Sequence, residues 1–333
     1  MNDDENGFME QQAAALLAAA GETFARVPPA LPEPPERRLA LLLLDGVLHE
    51  EAAPTRAAVQ AFHQDRIAAA VADIERTTVT DGARVWKLYD LGFVVRTRSV
   101  TFAFDLVRGV HVADGAFAVD DTVMERLAEE CDVMFISHRH VDHADPAVAE
   151  AFLSRGKVVV APPPLWEGEP IHARITHLNR EAHAQQMLPV QGGELDLRVV
   201  IYPGFQGGDD STPNNVTLVT TPEGIGFMQT GDQSDPRAFT WIDEIAEHHR
   251  VDVLMPNCWT TDIVRVARGV RPSLIITGHE NEMGHTIDHR EPYWLTYQRQ
   301  AGSARFGGDP DVGYDTPLLL MAWGESFAYR PPA

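Results

Sequence analysis

Cysteine is almost absent from this chain. Two residues in 333, Cys131 and Cys258, cannot build a disulfide framework, so a reducing cytoplasm is the expected setting. Positive charge is also scarce: 27 Lys and Arg face 49 Asp and Glu, a formal net charge of -22. So acidic a surface repels phosphate backbones, and no nucleic-acid partner is expected. A small anion is not excluded, because a metal site can be locally positive. No apolar run approaches the roughly 18 residues that a membrane span needs, so no membrane partner is expected. The opening "MNDDENGFMEQQ" lacks the basic start of a secretory signal, although "AAALLAAAG" follows it. There is no Gly-x-Ser-x-Gly elbow, no P-loop and no Gly-x-Gly-x-x-Gly after the first strand. Serine-hydrolase, NTPase and dehydrogenase chemistry therefore have no motif behind them.

What is present divides into three stretches. Residues 1–35 read as an acidic, Ala-rich tail ending in the proline-rich linker "VPPALPEPPE". Residues 36–78 read as a helical lead-in. Pro35 opens "PERRLALLLLDGVLHEE", and Val59, Phe62, Ile67, Val71 and Ile74 fall near helical spacing in the next segment. Such a lead-in packs on the main domain or joins two copies of the chain into a homo-oligomer. From Val79 to residue 333 the texture is that of an α/β domain. "ARVWKLYDLGFVVRTRSVTFAFDLV" reads as paired strands, "DDTVMERLAEE" as a helix and "DVMFIS" as a short buried strand. Paired strands, then helix, then strand occur again further on, which predicts two sheets with helices outside.

The strand "DVMFIS" delivers "HRHVDH". Alternation along an extended backbone lets His138 and His140 point one way, while Asp142 and His143 turn toward a neighbouring point. Two sets of metal ligands are thus offered about one metal–metal distance apart, on a rigid buried support. Imidazole suits zinc, iron or manganese, and carboxylate adds hard oxygen character.

"HRHVDH" resembles the His-x-His-x-Asp-His signature of the metallo-β-lactamase superfamily, and the surroundings match over roughly residues 79 to 330. Within it, the chain most resembles the bacterial metal-dependent hydrolases that include ascorbate-phosphate lactonases and phosphodiesterase-like proteins. The resemblance implies an αββα sandwich with metals at one edge between the sheets, here with an N-terminal helical extension. It implies a bridging Asp after a strand, supplied by Asp232 in "GIGFMQTGD", and a last ligand after a late strand, supplied by His279 in "LIITGHE". The expected ligand set is therefore His138, His140, Asp142, His143, Asp232 and His279, with Asp142 and Asp232 also catalytic. A further His is implied after a Pro-Gly turn, but "YPGFQGGDD" places Phe205 there. Gln206, Asp209, His172, His177 or His183 would then fill the gap, or the first site stays incomplete.

The expected function is a hydrolase that uses metal-activated water on a small lactone or phosphoester. Zn2+ is the expected metal, one or two per chain, with Mn2+ or Fe2+ as alternatives. Phe205, Gln206, Asn214, Trp259 and His285 are candidates for holding substrate. Competing readings are a binding or scaffold protein with a degenerate site, which Phe205 favours, and a nuclease-type phosphodiesterase, which the net charge opposes.

Overall fold

Short runs such as "VMF" (133–135), "VVV" (158–160) and "LII" (274–276) are apolar on both faces, which only a strand covered on both sides tolerates. In the computed structural model, which describes residues 3–207, 212–300 and 316–332, all three lie inside sheets. The chain starts with α1 (Asp3–Arg26), α2 (Pro35–Leu48) and α3 (Ala57–Arg76). The first sheet follows, from β1 (Ala83–Lys87), β2 (Phe93–Arg96) and β3 (Thr101–Phe104) through α4 (Asp121–Glu130), β4 (Val133–Phe135), α5 (Pro146–Ser154) and β5 (Val158–Val160). The second is built from β6 (Gln186–Val190), β7 (Leu195–Gln206), β8 (Thr212–Thr220) and β9 (Gly226–Gln229). Then come α6 (Phe239–Ile242), α7 (Ile245–His248), β10 (Val253–Met255), α8 (Ile263–Val270), β11 (Leu274–Ile276), α9 (Tyr293–Gln300), β12 (Leu318–Leu319) and β13 (Glu325–Tyr329). Strand order is β13-β1-β2-β3-β4-β5 in one sheet and β12-β11-β10-β9-β8-β7-β6 in the other.

Three apolar layers hold these elements together. Between the sheets, Phe102, Phe104, Phe135, Ile201, Phe227 and Ile276 form the central layer. The rings of Phe102 and Phe227 meet edge-on across the sandwich at 5.7 Å, a geometry worth about 1 kcal/mol beyond simple burial. The helical lead-in, α4 and α5 cover the outer face of the first sheet, and α6 to α8 cover that of the second. Helices outside two stacked sheets make the αββα sandwich that the signature implied.

The expectation of a peripheral tail over residues 1–35 is corrected for most of its length. Residues 3–26 form α1, because Ala13, Leu17, Ala20 and Phe24 recur at helical spacing and are buried against the lead-in. The lead-in is also tied to the sandwich by polar contacts. Fully buried Arg37 reaches Glu325 of β13 at 2.7 Å. Asp45 of α2 accepts hydrogen bonds from Asn281 (3.0 Å) and from the Tyr293 and Trp294 amides at the start of α9 (2.9 and 3.0 Å). The lead-in thus braces the segment that follows β11, where the site lies. No helix among the described residues is long and apolar enough to cross a membrane.

Candidate metal centre

In the first sheet β1 and β3 each run antiparallel to β2, and β4 runs parallel to β3. In the second, β7 and β9 flank antiparallel β8, with β10 and β11 parallel to β9. The C-terminal ends of β1, β3 and β4 thus share one edge, as do those of β7, β9, β10 and β11. Asp90, Asp105 and the stretch Ser137–His143 follow strands of the first sheet; Gln206, Asp232, Asn257 and His279 end or follow strands of the second. The Asn215 amide donates to the Ser137 carbonyl at 2.7 Å and ties the two edges together. Gly231 is required here. It has a positive φ of 52°, and a Cβ at this position would collide with Asn214 Oδ1 and the Ser137 side chain.

Every expected ligand is gathered at this edge, in two groups. His138, His140 and Asp232 form the first; Asp142, His143 and His279, joined by Asp90, form the second, and within each group the ligand atoms lie within 4.8 Å of one another. Asp232 spans both. Its Oδ2 is 3.6 Å from His138 Nε2 and 3.3 Å from His143 Nε2, and its Oδ1 is 3.6 Å from His279 Nε2. The Nε2 atoms of His138, His143 and His279 and both oxygens of Asp90 are buried without a hydrogen-bond partner. Each such atom costs about 1–3 kcal/mol if nothing serves it. The opposite nitrogens of two of these rings are engaged: His138 Nδ1 with Ser137 Oγ at 3.0 Å, and His143 Nδ1 with Asp105 Oδ2 at 3.0 Å. Rings held from behind, with free nitrogens aimed at carboxylates, fit a divalent cation.

The electrostatics agree. Burial penalises a charged His143 ring, yet Asp232 and Asp142 outweigh it and hold the pKa well above the usual imidazole value. Burial likewise opposes the charged His279 ring, but Asp90 and Asp232 raise its pKa to about 10. Burial pushes the Asp90 carboxyl up, with His279 and His143 only partly opposing. Desolvation lowers His138 to about 3, so this ring is neutral, as a ligand must be. His279 also carries a positive φ of 75°, and Asp90 and Asp105 of 56° and 44°. Such backbone is uncommon for residues other than glycine and gathers at functional sites.

The candidates for holding substrate separate. A cleft lined in part by Gln206, Trp259, His285 and His289 opens beside the centre. Gln206 Nε2 donates to Asp232 Oδ2 at 3.1 Å, and the Trp259 and His285 rings lie 5.5 and 5.1 Å from that of His279. Asn214 is corrected: it is fully buried, accepts from the Asp232 amide at 3.0 Å and donates to the Thr230 carbonyl at 2.8 Å, so it shapes the Asp232 turn and is closed to substrate. Phe205 is corrected as well. Neighbours on a strand face opposite ways; Gln206 takes the side of the metal ligands, and the Phe205 ring lies between Arg180 (5.4 Å) and Arg237 (5.7 Å). His172 and His177 bond the Leu165 and Ala161 carbonyls, and His183 stacks on His248, so none of them joins the centre. Asp209 lies outside the described residues.

Two residues were missed. Asp105 interrupts the apolar run "FAFDLV", and a charge there signals a buried partner. It accepts from the Ser137 amide (2.7 Å), Ser137 Oγ (2.7 Å), His143 Nδ1 (3.0 Å) and Gln229 Nε2 (2.5 Å). Asp90, in "LYDLG", looks like any turn aspartate, and nothing local marks it.

No protein-family model matches the chain, and no curated protein matches its sequence. Solved structures match its fold. Igni18, a metallo hydrolase from the archaeon Ignicoccus hospitalis, superposes with a TM-score of 0.55 at 14% identity, over 74% of this chain and 98% of that one. A possible metal-dependent hydrolase from Veillonella parvula gives 0.52 at 11%, over 74% and 100%. The isothiocyanate hydrolase from Delia radicum gut bacteria gives 0.51 at 13%, over 74% and 99%. The chain therefore shares its αββα fold with these metallo-hydrolases.

Proposed function

We propose that this protein is a metal-dependent hydrolase of a small molecule with a lactone or phosphoester as the scissile group. One observation carries the reading: buried imidazole and carboxylate atoms with no partner in the protein converge beside an open cleft. His138, His140, Asp142, His143, Asp232 and His279 would hold a dication, which would lower the pKa of a bound water to about 7 and polarise a carbonyl or phosphoryl oxygen. The chain's own groups do the rest. Asp232 faces both donor groups and orients the attacking water. Asp142, whose Oδ2 is 3.4 Å from His143 Nε2 and 3.5 Å from His279 Nε2, accepts its proton. Gln206, Trp259 and His285 border the position a substrate would take. Zn2+, Mn2+ and Fe2+ all suit these donors. Cys131 and Cys258 are buried and form no disulfide, which favours a reducing compartment. A nuclease reading is opposed by the net charge of -22. The test is elemental analysis of protein purified without added metal, followed by a screen of lactones and phosphodiesters with and without chelator. Bound metal with chelator-sensitive hydrolysis supports the proposal; a protein that binds metal yet turns over neither class refutes it.

A further inference from the structure

Asp90 and Asp105 are both fully buried aspartates at the same sheet edge, and their surroundings differ. Asp105 is saturated by four donors and holds His143 from behind. Asp90 has no hydrogen-bond partner on either oxygen. Its closest cationic neighbours, His279 Nδ1 at 3.5 Å and His143 Nε2 at 3.6 Å, are too far for a hydrogen bond. The backbone nevertheless commits to this placement. Asp90 adopts a positive φ of 56° in a turn closed by Leu88 N to Gly92 O (2.8 Å), and its own carbonyl accepts from the His279 amide at 3.1 Å. A buried carboxylate held in strained backbone and left without a hydrogen-bond donor is costly unless a cation coordinates it.

We propose that Asp90 is a direct metal ligand that makes the second donor group a hard site of high coordination number, favouring Mn2+ or Fe2+ over Zn2+. The inference rests on the metal-dependent reading above. With Asp232 shared, that group offers five protein donors: Asp90, Asp142, His143, His279 and Asp232. Three are carboxylates. Zinc is usually satisfied by four ligands, and its catalytic sites by three and a water. Carboxylate-rich sets with more than four donors suit Mn2+ and, with imidazole present, Fe2+. The first group, His138, His140 and Asp232, has no carboxylate of its own and keeps room for exchangeable ligands. The two positions are therefore unequal: one charge-neutralised by its ligands, the other with fewer protein donors, and the cleft borders both, through Gln206 beside Asp232 and through Trp259 and His285 beside His279.

The test is metal binding by stripped wild type and Asp90→Asn. Asn is isosteric and tolerates positive φ. Mn2+ uptake is read from the loss of the free-ion paramagnetic resonance signal, and Zn2+ uptake from a competing chelator. In Asp90→Asn, Mn2+ affinity should fall at least about tenfold further than Zn2+ affinity. Asp105→Asn, which touches a ligand's orientation only, should weaken both metals alike. If Asp90→Asn fails to fold, Asp90→Gly, at home at positive φ, answers the same question. An unchanged Mn2+/Zn2+ ratio in the variant overturns the inference and leaves the hydrolase reading standing. A wild type that takes up neither metal overturns both.

Discussion

Asp105→Asn tests whether the centre depends on carboxylates that never touch the metal. Asp105 Oδ1 accepts from the Ser137 amide, while Oδ2 accepts from Ser137 Oγ, His143 Nδ1 and Gln229 Nε2. Asparagine replaces one acceptor oxygen with a donor. If the new NH2 takes the Oδ1 place, it confronts the Ser137 N–H. If it takes the Oδ2 place, it confronts the His143 Nδ1–H, which escapes only by moving its proton to Nε2, the nitrogen that faces Asp232 and Asp142. The backbone is no obstacle, since φ at this position is 44° and Asn is among the residues that accept it. Two charge-assisted hydrogen bonds weakened or lost amount to about 3 kcal/mol of stability in the metal-free protein. The disoriented ring should cost about 10–100-fold in metal affinity. Chelator competition reads the second effect and thermal unfolding of stripped protein the first. Equal affinity in variant and wild type would refute the role given to Asp105, because the His143 tautomer would then not depend on it.

Three further outcomes are expected. His143→Ala should lower hydrolysis by more than about a hundredfold, because a ligand is lost, while circular dichroism shows a folded chain, since His143 belongs to none of the apolar layers. Phe205→His should leave metal affinity within about twofold, because that side chain faces Arg180 and Arg237 and has no ligand role; Gln206→His should raise affinity at the first group, and chelator titration of both variants distinguishes the positions. The metal-free protein should lose stability as pH rises from about 6.5, the unfolded imidazole value, through about 10, the raised value of His279. The sign follows because the folded state holds this proton more tightly than the unfolded chain, so the contribution is complete below the lower value and gone above the higher. Saturation with metal, which displaces the proton, should flatten that loss, and melting temperatures at pH 6, 8 and 10 with and without metal would show it.

The parts of this molecule that were legible in the sequence are those encoded by neighbours. Paired β-branched strands and the run "HRHVDH" announce the sandwich and most of one ligand wall, because alternation and spacing act over a few residues. The stripe Ala13, Leu17, Ala20 and Phe24 was equally local, but the acidic, Ala-rich composition around it suggested a tail. Assigning Phe205 to the missing ligand's place was an error of a single residue on β7, and on a strand one residue decides the face. Asp90 and Asp105 were not legible for a deeper reason. Each is one aspartate shortly after an apolar strand, each has positive φ, and each is fully buried. Their difference arises from distant segments. Ser137, His143 and Gln229 bring donors to Asp105, whereas His279 and His143 bring Asp90 only ring nitrogens beyond hydrogen-bonding distance. A carboxylate whose oxygens are already satisfied can orient a ligand but has nothing left to offer a cation; one left unsatisfied in the same apolar setting is costly until a cation arrives. The chemistry of the centre is therefore set by which carboxylates the two sheets leave without donors, a property of strand order and register that no window along the chain contains.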